Sequence, residues 1–221
     1  MFESNTVKRA LAAATAFAAW FALLLQFPLA IANSLAHGMT ILGAVIAYFS
    51  FFTILTNLTV ALVLTCSLFA TDSRWGRFFS SPVVASGTAL YIVMVGTVYF
   101  LMLRHLWDPE GFQKIADVIL HGVVPVMYVA YWILFVPKAA LRWKDTLSWS
   151  IYPLIYLAWI LIRGAISGRY PYPFVDAAQL GYSRVLLNAA MLFASFLVAG
   201  LAVVGVCRWT RPRAQQMEIN S

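Results

Sequence analysis

A chain of 221 residues that is 62% hydrophobic and 10% charged falls outside soluble globular usage, in which charged residues supply roughly a quarter. Its mean hydropathy of +0.83 points the same way. The formal charge of +7 is no nucleic-acid signal, because the basic residues sit singly at loop ends, without a run interleaved with aromatics.

A bilayer core takes about 20 apolar residues per helix, since backbone N–H and C=O groups must pair within the segment. Six segments qualify: Ala10 to Ala32, Ile41 to Phe69, Val83 to Leu103, Ile115 to Val136, Leu147 to Ile166 and Val185 to Cys207. The first follows Lys8 and Arg9, as a signal peptide would, but it is too long for an h-region and lacks a convincing cleavage site. Asn33 and Gly38 close the first loop, and Pro82 opens the third segment. Asp108-Pro109-Glu110-Gly111 reads as a turn, Pro137 ends the fourth segment, and Arg169-Tyr170-Pro171-Tyr172-Pro173 forces an extended loop. The expectation is an all-α polytopic bundle of six transmembrane helices, one domain over residues 1–221, with nothing left to fold separately.

Topology follows from the cations. Lys8, Arg9, Arg74, Arg77, Lys138, Arg142, Lys144, Arg208, Arg211 and Arg213 fall on one side; Arg104, Lys114, Arg163, Arg169 and Arg184 fall on the other. Ten against five places both termini in the cytoplasm. Cys66 and Cys207 then lie near cytoplasmic helix ends, which argues against a structural disulfide.

In so apolar a chain the buried polar residues are the informative ones, since each costs free energy unless partnered. The second segment carries Ser50, Thr53 and Asn57 on one face with Thr56 beside them. The fourth carries Asp117, His121, Pro125, Tyr128 and Trp132 at helical spacing; the fifth carries Trp149, Tyr152, Tyr156, Trp159 and Arg163. With both termini inside, Thr53, His121, Arg163 and Asn188 all fall in the outer half of the membrane, where packed helices would form a pocket. Ordinary alternatives stand beside this. Thr53 and Asn57 could bond an i−4 carbonyl or a neighbouring helix, and Arg163 could snorkel to the interface. His121 with Asp117 one turn before it is the stronger signal: a carboxylate there can accept from one imidazole nitrogen and raise basicity at the other. Such a pair also serves simply to join helices.

The segments Phe52-Thr53-Ile54-Leu55-Thr56-Asn57-Leu58 and Leu120-His121-Gly122-Val123-Val124-Pro125, and the stretch Tyr156-Leu157-Ala158-Trp159 followed by Gly168-Arg169-Tyr170-Pro171-Tyr172-Pro173-Phe174, occur in that order. Together they resemble the androgen-induced-gene family of six-pass membrane proteins and its bacterial relatives, over about Phe49 to Phe174. The resemblance implies a threonine hydrolase of fatty acid esters of hydroxy fatty acids, with Thr53 (or Thr56) as nucleophile and His121 as base. The expected location is an integral multi-pass one, in the plasma (inner) membrane if the chain is bacterial.

On this basis Asp117 is expected to orient His121. Asn57, Tyr152 and Tyr156 become candidate oxyanion donors, Arg163 a candidate carboxylate ligand, and Trp159 and Asn188 further substrate contacts. The substrate is a lipid or fatty acyl ester reached laterally from the bilayer, with no cofactor, no metal and no nucleic acid. Two other classes compete: a transporter of small solutes or protons, and a non-catalytic lipid-binding protein.

Overall fold

The computed structural model describes residues 2–139 and 141–209; Arg211 and Arg213, used above for topology, lie outside them. The described secondary structure is helical throughout. It comprises α1 (Phe2–Ala36), α2 (Ile41–Tyr48), α3 (Phe52–Phe69), α4 (Arg74–Phe79), α5 (Pro82–Val98), α6 (Gly111–Val118), α7 (Val124–Phe135), α8 (Trp143–Ser167), α9 (Ala177–Leu180) and α10 (Tyr182–Trp209). A π-helical segment, Tyr99–Leu103, extends α5, another, Ile119–Val123, joins α6 to α7, and a 3₁₀ turn spans Pro173–Val175.

Six helical spans are long and apolar enough to cross a bilayer: Asn5–Ala36, Phe52–Phe69, Pro82–Leu103, Gly111–Phe135, Trp143–Ser167 and Tyr182–Trp209. This is the architecture of a multi-pass membrane protein. Five of the six spans begin before the corresponding apolar segments, the second being the exception. α8, for example, starts at Trp143, with the Asp145 carboxylate accepting the Arg142 N–H at 2.8 Å.

The second apolar segment is not one helix. It breaks between Tyr48 and Phe52, where Ser50 turns its hydroxyl onto the Ile46 carbonyl at 2.6 Å and Phe51 is extended. Tyr48 holds the short α2 in place by donating to the Leu23 carbonyl of α1 at 2.8 Å. The break puts Thr53 in the first turn of α3 rather than in mid-helix.

By its internal contacts the chain divides into two compact units, Met1–Val136 and Pro137–Ser221. In the first, α1 packs chiefly on α3, and α5 lies against both α3 and α7. The buried face of α1 is small: Ala12, Thr15, Ala16, Ala19 and Ala22 recur every three or four residues. Small residues let helix backbones approach closely, which is how helices associate where lipid removes the hydrophobic drive. Around this seam lie Val60, Ala61, Leu64, Ile92, Val124 and Tyr128. Polar cross-links fix the register: Trp20 Nε1 donates to Thr65 Oγ1 at 3.1 Å, Tyr128 to the Ala85 carbonyl at 3.1 Å, and Trp132 Nε1 to Ser86 Oγ at 2.8 Å. In the second unit α8 and α10 pack together, and Ile160, Val175, Ala177 and Val185 form a small core.

The turn after α3 holds the tightest backbone approach in the first unit. Gly76 N–H donates to Ser73 Oγ at 2.8 Å, and a Cβ on Gly76 would overlap the Ala70 carbonyl oxygen. Because the obstruction is backbone, the turn must open to relieve it. Gly76→Ala is therefore expected to destabilise the protein by about 1–3 kcal/mol, read as a lowered Tm in detergent by tryptophan fluorescence. An unchanged Tm would contradict the packing of this turn.

Candidate functional site

The site is built where α3 meets the irregular stretch between α6 and α7. Pro125 accounts for the irregularity, since a proline inside a helix has no N–H to offer and its ring crowds the i−4 carbonyl. The chain widens to the π register: Val124 N–H reaches back five residues to the Ile119 carbonyl. The Leu120 carbonyl is then without its helical donor, because Val124 is engaged elsewhere and Pro125 has none. Asn57 of α3 fills the vacancy, donating from Nδ2 to Leu120 O at 3.2 Å and to its own i−4 carbonyl, Thr53 O, at 2.9 Å. One fully buried amide thus bolts the first turns of α3 to the bulge that carries His121.

The bolt brings Thr53 Oγ1 within 3.2 Å of His121 Nε2, across 68 residues of chain. Thr53 is 7% exposed, and the His121 side chain 14%. On its other edge, His121 Nδ1 lies 3.0 Å from the main-chain oxygen of Asp117 and 3.2 Å from Asp117 Oδ1. The carbonyl takes the hydrogen bond; Oδ1 stands at ion-pair distance without one. With two oxygens facing Nδ1, the proton belongs there, and Nε2 is the acceptor for the Thr53 hydroxyl. The tautomer expected from a carboxylate at i−4 is therefore set mainly by that residue's backbone, with the carboxylate alongside as a negative charge.

A residue to which the sequence reading gave no role completes the group. Tyr99, first residue of the π segment after α5, donates its hydroxyl to Asp117 Oδ2. Its ring stacks on the His121 imidazole with centroids 3.9 Å apart and planes 11° from parallel. The signal that could have found it is the carboxylate itself: at 4% exposure on a membrane helix, Asp117 needs a donor from a neighbouring helix.

Of the other expected site residues, Thr56 is fully buried one turn beyond Thr53. Both amide protons of Asn57 are committed to carbonyls, and its Oδ1 has no partner; the structure makes it a link between helices rather than an oxyanion donor. Tyr152, Tyr156, Trp159, Arg163 and Asn188 belong to the second unit. Within it Tyr156 packs against the Ile160–Val185 core, Trp159 is exposed, Arg163 is half-buried, and Asn188 donates to the Phe174 carbonyl at 2.9 Å, pinning the 3₁₀ turn. Cys66 and Cys207 are both free thiols. Among the described residues no three His, Cys, Asp or Glu side chains gather as a metal ion would need.

His121 also opens outward. A groove of about 960 Å³ runs along α5 and the bulge, between Val93, Thr97 and Phe100 on one wall and Val118, Gly122 and Val126 on the other, with His121 in its lining. Its surface is almost wholly apolar, and several of the flanking side chains, Val93, Phe100, Leu101 and Val126 among them, are exposed on the outside of the unit.

Fold and site together define a class: a multi-pass helical membrane protein in which a hydroxyl, an imidazole and a carboxylate stand in line below the protein surface. Comparisons with family models, curated proteins and solved structures gave no match, so the functional reading rests on this geometry and on the resemblance stated above.

Proposed function

We propose that the chain is an intramembrane ester hydrolase, a bacterial relative of the androgen-induced-gene family, that cleaves a fatty acyl ester with Thr53 as nucleophile and His121 as base. The observation that carries the reading is the 3.2 Å approach of Thr53 Oγ1 to His121 Nε2. A threonine hydroxyl is a weak nucleophile at its own pKa and needs an adjacent base within hydrogen-bond reach.

In the first half-reaction Thr53 Oγ forms a bond to the ester carbonyl carbon while its proton passes to His121 Nε2. The tetrahedral intermediate collapses, the ester C–O bond breaks, and the imidazolium returns the proton to the leaving alcohol. Water then attacks the acyl-threonine carbonyl, again giving its proton to His121; the bond from the acyl carbon to Thr53 Oγ breaks, the imidazolium returns the proton to that oxygen, and the fatty acid is released. The imidazolium formed in each half-reaction is offset by the Asp117 carboxylate 3.2 Å from Nδ1. The oxyanion develops beside the first turn of α3, where the positive end of the helix dipole lies.

The apolar groove against His121 is assigned to an acyl chain entering from the bilayer; its volume is in the range of ligand pockets, about 300–1,000 Å³. The excess of Lys and Arg on one side of the spans, ten against five, supports both termini in the cytoplasm, and in a bacterium the membrane would be the inner one. The test is to incubate the purified protein in detergent with an alkyl fluorophosphonate and map the adduct by mass spectrometry. Labelling at Thr53 is expected. Well-folded protein that takes no label would leave lipid binding without catalysis as the better reading.

A further inference from the structure

Four groups surround the imidazole of His121: Thr53 Oγ1, the carbonyl and the carboxylate of Asp117 one turn before it, and the ring of Tyr99. The Asp117 carbonyl decides which nitrogen carries the proton. Neither it nor the Thr53 contact at Nε2 fixes the plane of the ring, which can still tilt about the line joining those two contacts, nor the position of the carboxylate beside Nδ1. Both remaining freedoms meet Tyr99. Its ring lies flat on the imidazole, and its hydroxyl holds Asp117 Oδ2, so that Oδ1 is left facing Nδ1. The π segment Tyr99–Leu103 supports this placement: Arg104 N–H reaches back five residues to the Tyr99 carbonyl at 2.8 Å. Two π segments on neighbouring helices, one beginning at Tyr99 and one centred on His121, bring their bulged turns together at one ring stack. Such bulges cost regular hydrogen bonding and are frequent at functional sites.

We propose that Tyr99 is a positioning residue of this site: it clamps the His121 ring with its own and fixes the Asp117 carboxylate with its hydroxyl, so that Nε2 stays aimed at Thr53. Tyr99 acts through His121 and Asp117, the two groups its ring and its hydroxyl engage. The inference rests on the hydrolase reading for its kinetic consequence, but the clamp itself is a property of the imidazole and can be observed without turnover.

Two measurements on Tyr99→Phe, which keeps the ring and removes only the hydroxyl, test it. The first is the rate of covalent labelling of Thr53 by dodecyl fluorophosphonate, separated into the maximal inactivation rate and the half-saturating probe concentration. The maximal rate is expected to fall about tenfold, the worth of one hydrogen bond to a charged group, with half-saturation unchanged. Tyr99→Leu, which removes the stack as well, is expected to fall further. A residue that merely packed would leave the Phe variant at the wild-type rate, and that result would overturn the proposal. The second measurement is the ¹⁵N spectrum of histidine-labelled protein, with the His121 signal assigned by its loss in His121→Gln. Losing the Tyr99 hydroxyl frees the carboxylate next to Nδ1, so the His121 Nδ1 resonance is expected to move while Nε2 remains unprotonated. Should wild-type protein take no label, the hydrolase reading fails by itself and the spectrum decides the clamp: an unmoved Nδ1 resonance rejects it.

Discussion

Thr53→Ala and His121→Ala are each expected to abolish fluorophosphonate labelling, a loss of at least about 10³-fold, while Thr56→Ala retains it. The size follows from the roles. Without Thr53 there is no oxygen to form the adduct, and without His121 the hydroxyl keeps its proton at neutral pH. Asp117→Asn separates this site from one that depends on a carboxylate to choose the tautomer. There, the amide would present the wrong group to Nδ1 and the loss would approach that of the histidine variant. Here the main-chain oxygen of residue 117 accepts the Nδ1 proton at 3.0 Å whatever the side chain is. Only the charge beside the imidazolium is lost, and the expected decrease is about ten- to a hundredfold. Circular dichroism and Tm of each variant separate loss of chemistry from loss of fold. Full labelling of folded Thr53→Ala would remove the nucleophile from Thr53.

The spans were legible because lipid imposes a length and an apolarity that no tertiary contact can override. Thr53 and His121 were legible for the complementary reason: a polar group within such a span must have a partner. What the sequence hid was backbone irregularity. Nothing in the apolar run from Ile41 to Phe69 announces that it breaks between Tyr48 and Phe52, yet that break sets Thr53 at a helix start. Pro125 was visible, but its consequence, a freed Leu120 carbonyl that Asn57 must satisfy, needs the neighbouring helix to be known. Asn57 therefore read as a candidate ligand when its protons serve the scaffold. Tyr99 was hidden differently: near the end of a span a tyrosine looks like part of the interfacial aromatic belt, and its two contacts lie on another helix.

Gly122→Phe is expected to change which acyl chains are accepted while leaving the chemistry intact. Gly122 lies in the groove next to His121, and a Cβ built on it meets no atom within 4 Å, so the larger side chain enters open space rather than the core. Phenylalanine also has a helix propensity better than glycine's by a few tenths of a kcal/mol, so folding should not suffer. A chain already dissolved in lipid gains little hydrophobic free energy by moving into an apolar groove. The wild-type protein should then show only a modest preference for dodecyl over ethyl fluorophosphonate, arising from the way a seated chain orients the head. A phenyl ring in the groove acts through overlap instead, which costs about 1–3 kcal/mol when a chain must share the space. Labelling by the dodecyl probe should fall about ten- to a hundredfold and labelling by the ethyl probe should hold. Equal losses with both probes would mean that the ring disturbs His121 itself. No loss with either would mean that the groove holds ordinary lipid and the acyl chain lies elsewhere.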